Sequence, residues 1–374
     1  MKCKPSRSFH MIGLGRAGMR IGLRVPSSAD VSWLAENLYP GFDLVEIDEP
    51  DWLIEVLIDP ETHNQLLIRR DQSLARPSTC FGFDGHPGEI FSWDCDPGMF
   101  HDDELGLFYC SDIEHRRIVV LADVARDSIR IALLRLVREI ATDHLLMLGW
   151  LPFHAAAFAD KGRGILVVGP KRAGKTSLLL HALEAPSSHP ISNDRAVIGP
   201  LRGGQLRLEG LPTVVRIREG TTELLGRQNM ARAHDWRARN TLDQVECHEP
   251  RNNAMLPSIA LSLSPHQFHH LVDRCPIAGV ALSVIIFPKI DTTIKGISFR
   301  RLPLLEATER LACNRLPSGL SPLLHHLAGA SDGQCAETMS EHNLTNYPSL
   351  ECVLGQHAFE DKNFTERVFD QIQT

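Results

Sequence analysis

The stretch Gly164-Ile-Leu-Val-Val-Gly169-Pro170-Lys171-Arg172-Ala173-Gly174-Lys175-Thr176-Ser177-Leu-Leu-Leu constrains this chain more than any other part of it. The run Gly164–Val168 reads as a buried strand, and Lys175–Leu183, stopped by Pro186, reads as a helix. The residues between them fit G-x-x-x-x-G-K-[ST] without a mismatch. In a strand–loop–helix of this kind the loop amides point inward at the positive end of the helix, where they cradle phosphate. Gly169 and Gly174 allow backbone conformations that a side chain would block. Lys175 then reaches the β- and γ-phosphates, and the Thr176 hydroxyl ligates Mg²⁺. Gly169, Pro170, Lys171, Arg172, Ala173, Gly174, Lys175, Thr176 and Ser177 are the candidate nucleotide-binding residues.

A magnesium-bound nucleotide also needs a carboxylate at the end of a neighbouring strand. Asp194, in Ile191-Ser192-Asn193-Asp194-Arg195, comes 19 residues after Lys175, past one helix and a proline-containing turn. That distance lets the chain cross over and form an adjacent strand, so Asp194 is the candidate metal or catalytic carboxylate. The plainer reading is a turn or capping aspartate. His154 lies on the apolar strand Phe153–Ala159, just ahead of the loop strand. By itself a histidine there is a core residue.

The succession of His154-Ala, strand, turn, strand, phosphate loop, helix and Asn193-Asp194-Arg195 resembles the core of the HPr kinase/phosphorylase family. The likeness covers about residues 126–220, at its widest to 300, and leaves out the N-terminal region. It implies a mixed-sheet fold like that of phosphoenolpyruvate carboxykinase. It also implies transfer of the γ-phosphoryl group of ATP, or GTP, to a serine hydroxyl, with Mg²⁺. By position His154, Gly169, Gly174, Lys175, Thr176 and Asp194 match the family pattern, and Asp194, His154 and Asn193 are the catalytic candidates. The chain departs from the pattern twice. Asn193 stands where the family has a first aspartate, and an amide cannot take a proton. The family's Glu-Ile-Arg-Gly-Leu-Gly segment is reduced to Leu208-Glu209-Gly210-Leu211-Pro212, with Glu209 as a candidate second metal ligand. The acceptor implied is a peptide, a protein or a small molecule. The rival is a nucleotide-binding switch or scaffold with weak hydrolysis and no acceptor, which Asn193 favours. A transport ATPase is disfavoured, because Gly329–Gln334 lacks the Leu-Ser-Gly-Gly core of that signature.

The expected fold is α/β, with a smaller N-terminal α/β domain over residues 1–125 ahead of the phosphate-loop core. The core spans 126–320, and a C-terminal strand and helix over 321–374 pack on it. The expected elements of the first region are a strand at Arg20–Val25, a helix at Ser27–Leu38, strands at Asp43–Ile47 and Trp52–Ile58, and a hairpin of Leu107–Cys110 with Arg117–Leu121. Pro77–Asp103, rich in Gly, Pro and Asp, reads as loops. Asp127–Leu148 is an amphipathic helix ended by Gly149. The arginine-bearing segment 226–256 reads as a mobile lid or acceptor surface. Gly13-Leu-Gly15-Arg-Ala-Gly18 mimics a dinucleotide fingerprint, but Pro26 cuts short any helix after it, so it reads as a turn. A net charge of −7 argues against a general nucleic-acid binder. Ile129–Leu148 carries too many charges to span a bilayer. The nine cysteines are scattered, without a C-x-x-C, so reduced thiols and a cytoplasmic location are expected. A homo-oligomer is left open.

Overall fold

The structure is a computed structural model that describes residues 9–72, 78–81, 87–93, 96–103, 105–112, 114–218, 221, 259–316 and 341–373. It is a mixed α/β protein with two large mixed sheets, and its described residues form two compact units that divide after Leu145.

The first unit begins with a hairpin of β1 (His10–Arg16) and β2 (Met19–Val25). Its two-residue turn is Ala17-Gly18, both at positive φ (48° and 85°), the backbone a tight hairpin needs. The glycine fingerprint therefore lies along a hairpin, with no helix following it. Next come α1 (Ser28–Leu38), capped by the Ser27 hydroxyl, the short β3 (Asp43–Leu44), β4 (Trp52–Ile58) and α2 (Pro60–Gln72). β5 (Ser78–Phe81), β6 (Pro87–Trp93) and β7 (Asp96–Asp102) follow, so the stretch expected to be loops holds three strands. Gly and Pro at their ends hid them, but backbone pairing overrides such local signals. β8 (Leu107–Asp112) and β9 (Arg117–Ala122) form the expected hairpin. The nine strands run in the order β3-β1-β2-β4-β9-β8-β7-β6-β5. In the middle of the sheet the buried Glu55 carboxylate is held between Arg24 of β2, at 2.7 Å, and Arg117 of β9.

Helix α3 (Asp127–Met147) belongs to this unit almost to its end. Arg130 Nε donates to Asp30 of α1 at 2.9 Å, Ser128 Oγ to Leu105 O at 3.2 Å, and His144 Nε2 to Ala17 O at 3.0 Å. These bonds explain why the division falls after residue 145, whereas the sequence suggested a boundary near 125.

The second unit is built on β10 (Leu151–Asp160), β11 (Arg163–Val168), α4 (Lys175–Ala182), β12 (Ser188–Ser192), β13 (Arg195–Pro200) and β14 (Leu206–Gly210). A small pair of β15 (Val215–Arg218) and β16 (Ile259–Leu263) precedes α5 (Pro265–Val272). The long β17 (Gly279–Lys295), β18 (Ile297–Arg301), α6 (Leu304–Ala312), β19 (Ser349–Gln356) and α7 (Phe364–Gln373) complete it. β10 pairs with β11, β11 with β17, β17 with β14, β14 with β13, and β13 with β10. The five strands thus close a ring of pairings, in which only β11 and β17 run parallel.

β11 is apolar from Ile165 to Val168 because both of its faces are covered there. Ile165 and Val167 face a core shared with Leu178, Leu179 and Leu180 of α4, Phe268 of α5 and Phe364 of α7. Leu166 and Val168 face a second core with Phe153, Ile198, Phe287 and Leu311. No described helix is long and apolar enough to cross a membrane.

Candidate functional site

The loop leaves the buried end of β11 at Gly169, which is tucked so close that an added Cβ would stand 3.0 Å from the Ala173 Cβ. Inside the loop Ala173 N donates to Pro170 O at 3.2 Å, and Arg172 takes a positive φ of 71°. Gly174 follows at φ 101°, and its carbonyl accepts the first helical bond, from Leu178 N at 2.9 Å. A side chain at 174 would press on Leu354 of β19 and on Ile290 of β17. The loop therefore rests on two strands that follow it far along the chain.

Pro170, Lys171 and Arg172 are exposed, while Thr176 and Ser177 are half-buried at the start of α4. Lys175 is buried, and its Nζ donates to Gly169 O at 2.7 Å and Pro170 O at 3.1 Å. Burial pulls its pKa below the ordinary lysine value, and the Asp194 carboxylate pulls it part of the way back. Ser177 Oγ lies 3.4 Å from Thr221 Oγ1.

Two strands carry the remaining candidates to the mouth of the loop. Ala155 of β10 pairs with Val168 of β11, so the next step of the register brings His154 alongside Gly169. On the other edge of β10 the chain runs past in two stretches, β12 and β13, and kinks between them. The kink is held by Ser192, whose hydroxyl donates to Arg195 O at 2.6 Å and accepts from Arg195 N at 3.1 Å. Irregularities of this kind re-aim side chains beside a strand. Here Asp194 O accepts from Ala155 N at 2.9 Å, and the Asp194 carboxylate comes 2.9 Å from His154 Nε2. Both side chains are partly exposed. The neighbouring Asn193 has its Oδ1 buried without a hydrogen-bond partner among the described residues.

The structure thus brings His154, Asp194 and Asn193 to the loop end of β11. The Glu209 carboxylate accepts from Arg207 Nε at 2.5 Å. Segment 226–256 lies outside the described residues. Sequence reasoning missed the support of the loop by Pro288, Ile290 and Leu354. The parallel alignment of β17 with β11 was the signal, and it is not written in either strand alone.

A Thr hydroxyl and an Asp carboxylate are hard oxygen donors of the type Mg²⁺ takes, with water and phosphate completing its shell. A buried ammonium satisfied by two loop carbonyls fits a group that turns to an anion when one enters. The donor set therefore fits a magnesium nucleotide. No family model matches this chain, and neither does any curated protein.

Proposed function

We propose that the chain binds ATP, or GTP, with Mg²⁺ and transfers the γ-phosphoryl group to a hydroxyl of a peptide, a protein or a small molecule. The observation that carries this reading is the 2.9 Å pair of His154 and Asp194 at the mouth of the glycine loop. A loop alone supports binding. A loop with a carboxylate–imidazole pair beside it supports chemistry.

In this reading the amides of residues 169–177 and the Lys175 ammonium hold the phosphates. Thr176 and Asp194 hold Mg²⁺, which when bound neutralises charge on the phosphate oxygens. The acceptor oxygen attacks the γ-phosphorus, the bond to the β–γ bridging oxygen breaks, and the nucleoside diphosphate leaves. The acceptor's proton passes to the His154 imidazole, which the Asp194 carboxylate holds in place through Nε2. Such a transfer has a loose transition state, so positioning and charge contribute more than the base does. General-base help adds roughly 10²–10⁴ in rate.

The second reading, a nucleotide switch without an acceptor, draws support from Asn193, whose amide cannot take a proton. Incubation with γ-labelled ATP and the proteins encoded beside this one separates the two. Label on a hydroxyl residue supports the kinase. Hydrolysis without transfer supports the switch. Failure to bind Mg-ATP in calorimetry overturns both.

A further inference from the structure

Helix α5 carries three histidines, His266, His269 and His270, in eight residues. Its rotation is fixed at two points. Phe268, Leu271 and Val272 are buried in the core beside α4. At its start Ser264 and Gln267 exchange a capping pair, with Ser264 N donating to Gln267 Oε1 at 2.7 Å and Gln267 N to Ser264 Oγ at 3.3 Å. His266 and His270, four residues apart, therefore share one face. His270 is exposed and His266 half-buried. Their ring centroids are 4.5 Å apart and their planes are inclined by 69°.

That separation has a chemical meaning. An imidazole nitrogen binds a first-row divalent ion at about 2.1 Å, which puts the ring centroid roughly 3.2 Å from the ion. Two imidazole nitrogens at the roughly 90° angle of a square-planar or octahedral ion, the geometry Ni²⁺ and Cu²⁺ take, put the centroids about 4.5 Å apart. Two histidines at i and i+4 are also how zinc-binding helices present their ligands. Imidazole suits Zn²⁺, Ni²⁺ and Cu²⁺, whereas Mg²⁺ prefers oxygen. Among the described residues no His, Cys, Asp or Glu extends the pair to a cluster of three.

We propose that His266 and His270 form a two-histidine chelate for a borderline divalent ion on a helix that carries none of the candidate nucleotide residues. His269 stands apart from it. Burial, together with its two histidine neighbours, holds its pKa at about 4, and its ring packs 6.0 Å from that of Phe268. An ion bridging one turn of α5 stabilises the folded unit by binding it in preference to the unfolded chain.

The test is calorimetric titration of the full chain with Ni²⁺ at pH 7.5, alongside His266→Ala, His270→Ala and the double variant. Either single change should weaken binding by about tenfold or more, and the double change should abolish it. Unchanged binding in the double variant, or none in the wild type, would overturn the proposal. Should the variants fail to fold, electron paramagnetic resonance of the wild type with one equivalent of Cu²⁺ decides. Hyperfine structure from two nitrogens is expected, and fewer than two sinks the idea.

Discussion

His154 Nε2 and Asp194 Oδ1 stand 2.9 Å apart, although one belongs to β10 and the other to a kink between β12 and β13. Asp194→Asn keeps the shape and removes the charge. Turnover of ATP should fall by about 10²–10⁴. Affinity for the nucleotide should change less, because the loop amides and Lys175 remain. Steady-state hydrolysis and calorimetry on the same preparation check this, and a variant that turns over like wild type would make Asp194 a structural cap.

Lys175→Ala should cost much of the affinity for Mg-ATP, about ten- to a hundredfold, since one ammonium–phosphate contact carries roughly 1.5–3 kcal/mol. The empty protein should barely notice. Two bonds to Gly169 O and Pro170 O are lost, about 1 kcal/mol each, but the cost of burying the ammonium goes with them. Chemical denaturation and titration with Mg-ATP read the two effects separately.

Gly210→Ala tests how rigidly the kink is held. A Cβ at 210 would overlap the backbone carbonyl of Ile191, which leads directly into Ser192–Asp194. Backbone cannot swing aside as a side chain does, so the change should destabilise by about 3 kcal/mol and lower turnover as Asp194 is displaced. Unaltered denaturation midpoint and rate would show that β12 yields easily.

Asn193→Asp restores the proton-accepting chemistry that the resemblance implies. Its new carboxylate would sit beside Asp194, and their repulsion would raise one pKa toward neutrality. The rate of transfer or hydrolysis should rise, while stability at pH 7 falls because a charge replaces a buried amide. A drop in rate would assign Asn193 to orienting the acceptor through its amide.

Acid should weaken both units. Burial pushes His101 of the first unit and His269 of the second down to about 4, from 6.5. Both are neutral in the folded chain and charged below about 6.5 once it unfolds. Their contribution is therefore present above pH ~6.5 and is lost as the pH falls toward 4. Thermal melts at pH 7.5 and pH 5 should show a fall of several degrees, reduced in His269→Leu.

Much of this was legible in the sequence. Strand β11, the loop, α4 and the Trp52–Ile58 strand carry their own periodicity and turn residues. The placement of Asp194 beside His154 was legible only through the resemblance, since nothing local fixes which edge of β10 the later strands choose. Helix α2 escaped because its apolar stripe is weak, and only His63 and Leu66 are buried. β17 runs eight residues beyond its apolar part at Phe287, because pairing with β19 carries it to Ile290 and, after a break in register over residues 291–294, resumes at Lys295. Polar residues at an exposed sheet end give no alternation to read.

The contact of Gly174 with Ile290 and Leu354 bears on how the chain is made. Leu354 leaves the ribosome about 180 residues after Gly174. At some 5–20 residues per second, that interval is roughly 10–40 seconds. Until Ile290 is out the glycine loop lacks both strands it will rest on and β11 lacks its parallel partner, and β19 is missing to the end of the interval. A nascent chain cut before β19 therefore carries the whole loop motif and still has no finished cradle. The unit assembles only after most of it has been synthesised, and its folding should be slow for its size, as long-range parallel pairing dictates.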